Sequence, residues 1–169
     1  MRIGILSDSH GRAERTADAV RALLDAGARM LIHLGDVETE LVIDELAGHD
    51  ARLVFGNCDW NIDALRRYAR QVGVRVDDPM GSLEIDGVRI AFTHGHRSDL
   101  MRQAIANGVE YLLHGHTHEL RDERLESTRV INPGALFRAS RYTVAMLEPE
   151  TDRLEILELD KRSSARHHA

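Results

Sequence analysis

Seven residues of this 169-residue chain, Asp8, His10, Asp36, Asn57, His94, His116 and His118, carry side chains of the kinds that hold divalent cations. They fall in five short segments: Asp8-Ser9-His10, Gly35-Asp36, Gly56-Asn57-Cys58-Asp59, Thr93-His94-Gly95-His96 and His114-Gly115-His116-Thr117-His118. Carboxylate, imidazole and amide donors suit manganese, zinc, iron(II) or nickel, and a set without thiolates argues against a structural zinc knuckle. Seven ligands exceed what one four-coordinate ion takes, whereas two ions sharing a bridging carboxylate account for them. Two-metal sites, with ions about 3.5–4 Å apart, clamp the attacking and leaving oxygens of a phosphate ester.

These segments need elements that bring them together, and each follows an apolar run. Arg2 to Leu6 reads as a buried strand, Ala13 to Ala26 as a helix with Ala17, Val20, Leu23 and Leu24 on one face, and Gly27 as its stop. Met30 to Leu34 reads as a second strand, Glu38 to Ala47 as a helix, Leu53 to Phe55 as a third strand and Asn61 to Val72 as a helix. In the strand-richer second half, Ser82 to Ile85 and Val88 to Phe92 flank the hairpin signal Asp86-Gly87. Ser98 to Ala106 is a predicted helix; Glu110 to Leu113, Arg129 to Ile131, Tyr142 to Leu147 and Arg153 to Leu159 are predicted strands. Alternation of short apolar runs with amphipathic segments predicts a β-α-β architecture, in which ligands gather at the carboxyl ends of strands. Five ligand segments at strand ends therefore predict one shared crevice.

Composition narrows the alternatives. A hydrophobic fraction of 43% and a charged fraction of 30% describe a globular protein, and the length suits one domain over residues 1–160 with a polar tail over 161–169. The net charge of −6 argues against a DNA-binding or membrane-binding surface, although bound cations reverse the sign inside a local site. A single cysteine, Cys58, excludes an internal disulfide framework. The apolar run before Ser7 is too short for a signal peptide, so a cytoplasmic location without membrane partners is expected. A homodimer through one face of the second sheet is also an expectation.

In order and content the five segments resemble the signature blocks of the calcineurin-like metallophosphoesterases, D-x-H, G-D, G-N-x-D/E, H-G and G-H-x-H, over roughly residues 1–160. The small size, with Gly56-Asn57-Cys58-Asp59 and Asn132-Pro133-Gly134, points to the small bacterial and archaeal phosphodiesterase branch related to Vps29. The resemblance implies an α/β fold, a four-layer α/β/β/α sandwich of two mixed sheets flanked by helices. It implies two divalent ions, manganese first and nickel, zinc or iron(II) as alternatives, with Asp8, His10 and His118 on one, Asn57, His94 and His116 on the other, and Asp36 between them. A metal-bridging hydroxide would attack a small phosphate ester, a diester in preference to a monoester. The alternative implied by Vps29 is a protein-interaction scaffold with a vestigial metal site.

Several other residues follow from the same resemblance. Cys58 stands where many larger family members place a histidine thought to protonate the leaving group, and a thiol is the poorer acid at neutral pH. Cys58 and His96 are thus candidates for proton delivery or substrate contact, Asn57 and Asp59 complete the candidate catalytic block, and Asp59 is expected to orient its neighbours. His114 is expected to support the ligand loop, and Asn132, Pro133 and Gly134 to shape a turn beside it. Arg12 reads better as a surface residue opening a helix than as a substrate anchor. His33, His49, His167 and His168 read as packing, surface or tail residues.

Overall fold

The computed structural model describes residues 1–160, so the expected tail, with His167 and His168, lies outside the described residues. The elements run β1 (Ile3–Leu6), α1 (Ala13–Asp25), β2 (Met30–His33), α2 (Glu40–Asp44), β3 (Ala51–Leu53), α3 (Ile62–Gln71), β4 (Arg75–Val76), β5 (Met80–Ile85), β6 (Val88–Thr93), α4 (Ser98–Ala106), β7 (Tyr111–Leu113), β8 (Leu120–Leu125), β9 (Thr128–Pro133), β10 (Tyr142–Glu148) and β11 (Arg153–Leu159). One sheet has the order β11-β10-β1-β2-β3-β4 and the other β5-β6-β7-β9-β8. Both are mixed: β1 to β4 run parallel with β10 antiparallel to β1, while β6, β7 and β9 run parallel between antiparallel β5 and β8.

Strand alternation sorts the apolar side chains into three cores. Ile3 and Ile5 of β1 meet Phe92, Leu113 and Ile131 of the second sheet in the core between the sheets. Leu6 faces the other way and packs with Leu23, Val42, Ile43, Leu65 and Ala69 of α1, α2 and α3. On the outer face of the second sheet Ala91, Leu112 and Val130 meet Ala104 of α4, with Met101 and Ile105 alongside. Three cores separate four layers, which is the α/β/β/α sandwich expected. Among the described residues no helix is long and apolar enough to cross a membrane.

The predicted elements are present, with instructive shifts. The helix over Ser98–Ala106 and the strand over Arg153–Leu159 have the expected bounds, and Asp86 (φ 52°) and Gly87 (φ 81°) form the hairpin turn between β5 and β6. β3 ends at Leu53, not Phe55, because the chain leaves the sheet there and the Phe55 N–H is donated to the Asp78 carboxylate. α2 is shorter than the predicted Glu38–Ala47: Glu38 adopts a left-handed φ of 63° and donates its N–H to Asp59, so the helix begins after it. The buried face of α1 is Thr16, Ala19, Val20 and Leu23, rotated from the predicted one, with Ala17 and Leu24 only half-buried. β4 and β8 are additional strands.

Candidate metal centre

The carboxyl ends of β1, β2, β6 and β7, with the loop after β3, meet at one edge of the sandwich, and backbone bonds tie the loops together. Asp8 N–H donates to the Gly35 carbonyl, His10 N–H to Asp36, Gly115 N–H to His94 and Leu136 N–H to Ser7. All seven candidate ligands lie here. Five hold positive φ: Asp8 55°, His10 44°, Asp36 56°, His116 71° and His118 60°. Each non-glycine residue in that region costs about 1–3 kcal/mol and persists only where surrounding structure fixes it, a feature that clusters at functional sites. Two glycines admit the approach: a Cβ at Gly56 would collide with the Asp36 carboxylate, and one at Gly115 with Ser7 and Asp8.

The donor atoms converge and leave one buried carboxylate oxygen unpaired. Asp36 Oδ2 lies 3.5 Å from His10 Nε2 and 3.4 Å from His94 Nε2, between the two halves of the site. His10 Nε2 is 3.2 Å from His118 Nε2, and His118 Nε2 is 3.3 Å from Asp8 Oδ1. That last approach lacks hydrogen-bond geometry, so Asp8 Oδ1 is buried with no hydrogen-bond partner. Burial of an unpaired carboxylate oxygen is costly unless a cation completes it.

The far side of each imidazole fixes which nitrogen faces inward. His94 Nδ1 lies 2.7 Å from the Leu34 carbonyl, which only accepts, so Nδ1 keeps a proton and the neutral form of the ring, once its second proton leaves, turns an Nε2 lone pair to the site. That lone pair sits 3.1 Å from Asn57 Oδ1, itself an acceptor. Two acceptors at this distance need a proton or a cation between them. His10 Nδ1 is likewise held at 2.7 Å by Glu38 Oε1, leaving Nε2 to face Asp36 and His118. Donor sets close enough for one ion are Asp8 with His10 and His118, Asp8 with Asp36 and His94, and His10 with Asp36 and Cys58. Carboxylate oxygens and inward imidazole nitrogens thus fit divalent cations at both ends of Asp36. His116 stands at the rim, its ring 5.2 Å from His94 and its donors outside these three sets.

Electrostatics follow the geometry. Burial pushes the Asp36 carboxyl up, but hydrogen bonding and charge from His94, with the Cys58 N–H, hold it well below the usual carboxylate range. Burial likewise opposes ionisation of Asp8, and His118 outweighs it, so Asp8 is lowered. His118 is raised by Asp8, and His94 is raised because Asp36 overcomes burial. His116 and His96 are lowered, by burial first and His94 second. The Cys58 thiol is pushed up to about 11 by burial and by Asp36.

The supporting residues divide clearly. Asp59 is buried and accepts the N–H groups of Asp36, Gly56 and Glu38 at 3.0, 2.7 and 2.7 Å, tying the second loop to the third. His114 is buried behind the ligands, and Asn132 donates to the Gly115 carbonyl and Thr117 hydroxyl while accepting the Gly134 N–H. His96 is exposed at the rim, its ring 5.4 Å from that of His94. Two residues had no signal of this kind in the sequence. Glu38 orients His10, and His33, fully buried, accepts the Gly35 N–H at Nδ1 and meets Ser9 Oγ at 2.7 Å.

The chain is similar to several known proteins in sequence and fold. A phosphodiesterase of Methanocaldococcus jannaschii is 32% identical over 138 residues, covering 79% of this chain and 83% of the relative. Phosphodiesterase YfcE of Escherichia coli is 25% identical over 152 residues, 80% of this chain and 79% of the relative. The solved structure of an archaeal phosphodiesterase superposes with a TM-score of 0.85 at 28% identity, covering 94% of this chain and 100% of that one. Vps29 of Entamoeba histolytica shares the fold, with a TM-score of 0.63 at 17% identity over 95% of this chain and 100% of its own. Residues 1–152 match the calcineurin-like phosphoesterase superfamily domain, and the chain belongs to that superfamily.

Proposed function

We propose that this protein is a two-metal phosphodiesterase of small phosphate esters. Asp8, His10 and His118 would hold one divalent cation, Asn57, His94 and His116 the other, and Asp36 would serve both. The observation that carries the reading is Asp36 Oδ2 between His10 Nε2 and His94 Nε2, beside a buried Asp8 oxygen without a hydrogen-bond partner. The preference for diesters rests on relatives that carry the name phosphodiesterase. Manganese is the first ion to test, because the donors are oxygen and imidazole.

Bound cations would lower the pKa of water into the neutral range and stabilise charge developing on phosphate. The chain's own part is to fix the ligands. Leu34 and Glu38 set the His94 and His10 tautomers, and Asp59 clamps the Asp36 loop. Proton delivery to the leaving group is the weak step, since Cys58 stands where larger relatives place histidine and its thiol is a poor acid. His96, at the rim, is the other side chain within the site's reach. We therefore assign this protein to esters with good leaving groups.

The test is to quantify bound metal and assay aryl phosphodiesters and monoesters with manganese, nickel, zinc or magnesium. Trp60, the single tryptophan, is 90% exposed three residues from Asn57 and reports manganese binding by fluorescence quenching. Activity that survives Asp36→Asn at full rate, or none with any metal, overturns the reading. The pH–rate profiles of Cys58→Ala and His96→Ala with good and poor leaving groups test the proton step; unchanged poor-leaving-group rates in both exclude these side chains.

A further inference from the structure

A cavity of about 470 Å³ opens beside His10, where the chain turns from β1 into α1. Its walls include Gly11, Arg12, Glu14, Arg15, Phe137 and Tyr142. The volume lies in the range of small-ligand pockets, about 300–1,000 Å³. Planar groups line it: the Arg12 guanidinium carbon lies 4.6 Å from the Phe137 ring centroid, with that of exposed Arg138 also over the ring at 5.1 Å, and that of Arg15 lies 3.9 Å from the Tyr142 centroid. Arg15 is a fixed wall, because its Nη1 also donates to the Leu136 carbonyl at 2.9 Å. Arg12 makes no salt bridge among the described residues, so its charge is open to a ligand in a protein whose net charge is −6. Glu14 is the acidic member of the lining and is exposed.

The cavity adjoins the metal centre directly. The Phe137 ring lies 5.2 Å from the His10 ring, and Gly11 follows His10 in the chain. A phosphate held at the His10–His118 end would therefore have one ester substituent beside this wall. Guanidinium planes and aromatic rings both favour flat, polarisable partners, and a guanidinium is weakly hydrated enough to stack. An aliphatic alcohol would gain little from such walls, whereas a planar heteroaromatic ring would gain stacking on either kind of face. We propose that this cavity is the specificity subsite of the phosphodiesterase and receives a nucleobase carried on the ester, with Phe137 and Arg12 as its determinants. The proposal rests on the two-metal reading for the chemistry, but the binding of the base does not require turnover.

The test has two readouts. In the first, two diesters share a p-nitrophenolate leaving group and differ in the retained group, thymidine 5′ in one and methyl in the other. The preference of the manganese-loaded protein for the nucleoside ester should fall about tenfold in Phe137→Leu, which keeps apolar bulk beside His10 but removes the aromatic face. Phe137→Tyr should restore it, and Arg12→Ala should lower it as well. A preference that is absent in the starting protein, or that survives both Phe137→Leu and Arg12→Ala, overturns the assignment. The second readout is saturation-transfer NMR with adenosine 5′-monophosphate and ribose 5-phosphate. The base protons should receive saturation from the starting protein and lose it in Phe137→Leu, with ribose 5-phosphate giving weaker transfer. Base protons that receive none, or as much in Phe137→Leu, sink the subsite whatever the turnover. Base binding without hydrolysis of either diester keeps the subsite and sinks the two-metal reading instead.

Discussion

Two groups of carboxylates in this molecule are treated in opposite ways. Asp77, after β4, meets Arg52 of β3 in a two-pronged pair, with Oδ2 2.7 Å from Nε and Oδ1 2.7 Å from Nη2. Asp122 and Arg129 repeat the arrangement across β8 and β9 at 2.7 and 2.8 Å. Asp8 and Asp36, in contrast, are approached by imidazoles at 3.3–3.5 Å and form no ion pair with an arginine among the described residues. The first group has every oxygen committed, so its role is complete in the folded chain. The second is left incomplete by the protein, and incompleteness in a buried carboxylate is a demand for a cation. The difference separates structural from functional acids more sharply than burial or residue type.

The strongest way to break that comparison is to neutralise one member of each group. Asp36→Asn should lower phosphodiesterase activity on the order of a thousandfold, roughly 4 kcal/mol of transition-state stabilisation. Its metal-free stability should fall by less than that of Asp77→Ala, since the amide oxygen still accepts the Cys58 N–H although the attraction to His94 is lost. Manganese should raise the melting temperature of the starting protein, by about 2.7 kcal/mol equivalent at a hundredfold excess over Kd, and leave that of Asp36→Asn in place. Asp77→Ala should do the reverse. Stranding Arg52, which is only 7% exposed, should cost about 3–5 kcal/mol in a denaturant titration while the folded fraction keeps its kcat. A stable Asp77→Ala or an unstable Asp36→Asn would dissolve the distinction.

A third effect comes from a histidine that belongs with the completed groups. The Gly35 N–H donates to His33 Nδ1, so the ring's proton sits on Nε2, which faces Ser9 Oγ at 2.7 Å. Both nitrogens of the neutral ring are used, and burial holds His33 down at about 4 against an ordinary 6.5. Between these values the unfolded chain binds a proton that the folded one refuses, so stability rises with pH across that window and is lost as pH falls through it. The full contribution is on the order of 3 kcal/mol. Denaturant midpoints measured from pH 4 to 6.5 should therefore slope upward in the starting protein and flatten in His33→Gln. An unchanged slope would show that other groups carry the acid sensitivity.

These contrasts mark where the sequence was readable. Asp8, His10, Asp36, Asn57, His94, His116 and His118 stand out because each follows an apolar run, and a strand-end position is legible from periodicity alone. The hairpin at Asp86-Gly87 and the helix at Ser98–Ala106 were equally plain, since turn chemistry and helical spacing are local properties. β8 was not legible: Leu120–Leu125 is a charged edge strand, held by β9 on one side and mostly exposed, so no apolar alternation marks it. β4 is two residues long and exists only because β3 offers it a partner. Glu38 and His33 were opaque for a related reason. Each acts through a contact that closes across two loops, and nothing in the spacing of Glu38 from His10 announces that they meet.

That contact supplies the smallest and most discriminating prediction. Glu38 Oε1 holds His10 Nδ1 at 2.7 Å from an exposed position, on a residue whose φ of 63° is maintained by the Asp59 carboxylate. Removing the charge while keeping the length, as in Glu38→Gln, should leave the fold and the ligand set intact but loosen the orientation and basicity of one imidazole. Outer partners of metal-bound histidines typically account for about 10–100-fold in affinity or activity, and an exposed one belongs at the lower end. Glu38→Gln should thus weaken manganese binding about tenfold, read by quenching of Trp60, with a smaller loss of kcat once metal saturates. Glu38→Ala should weaken it further, because the amide of glutamine can still accept the Nδ1–H. Equal manganese affinity in all three proteins would show that backbone strain alone orients His10, and Glu38 would then belong with the completed structural acids.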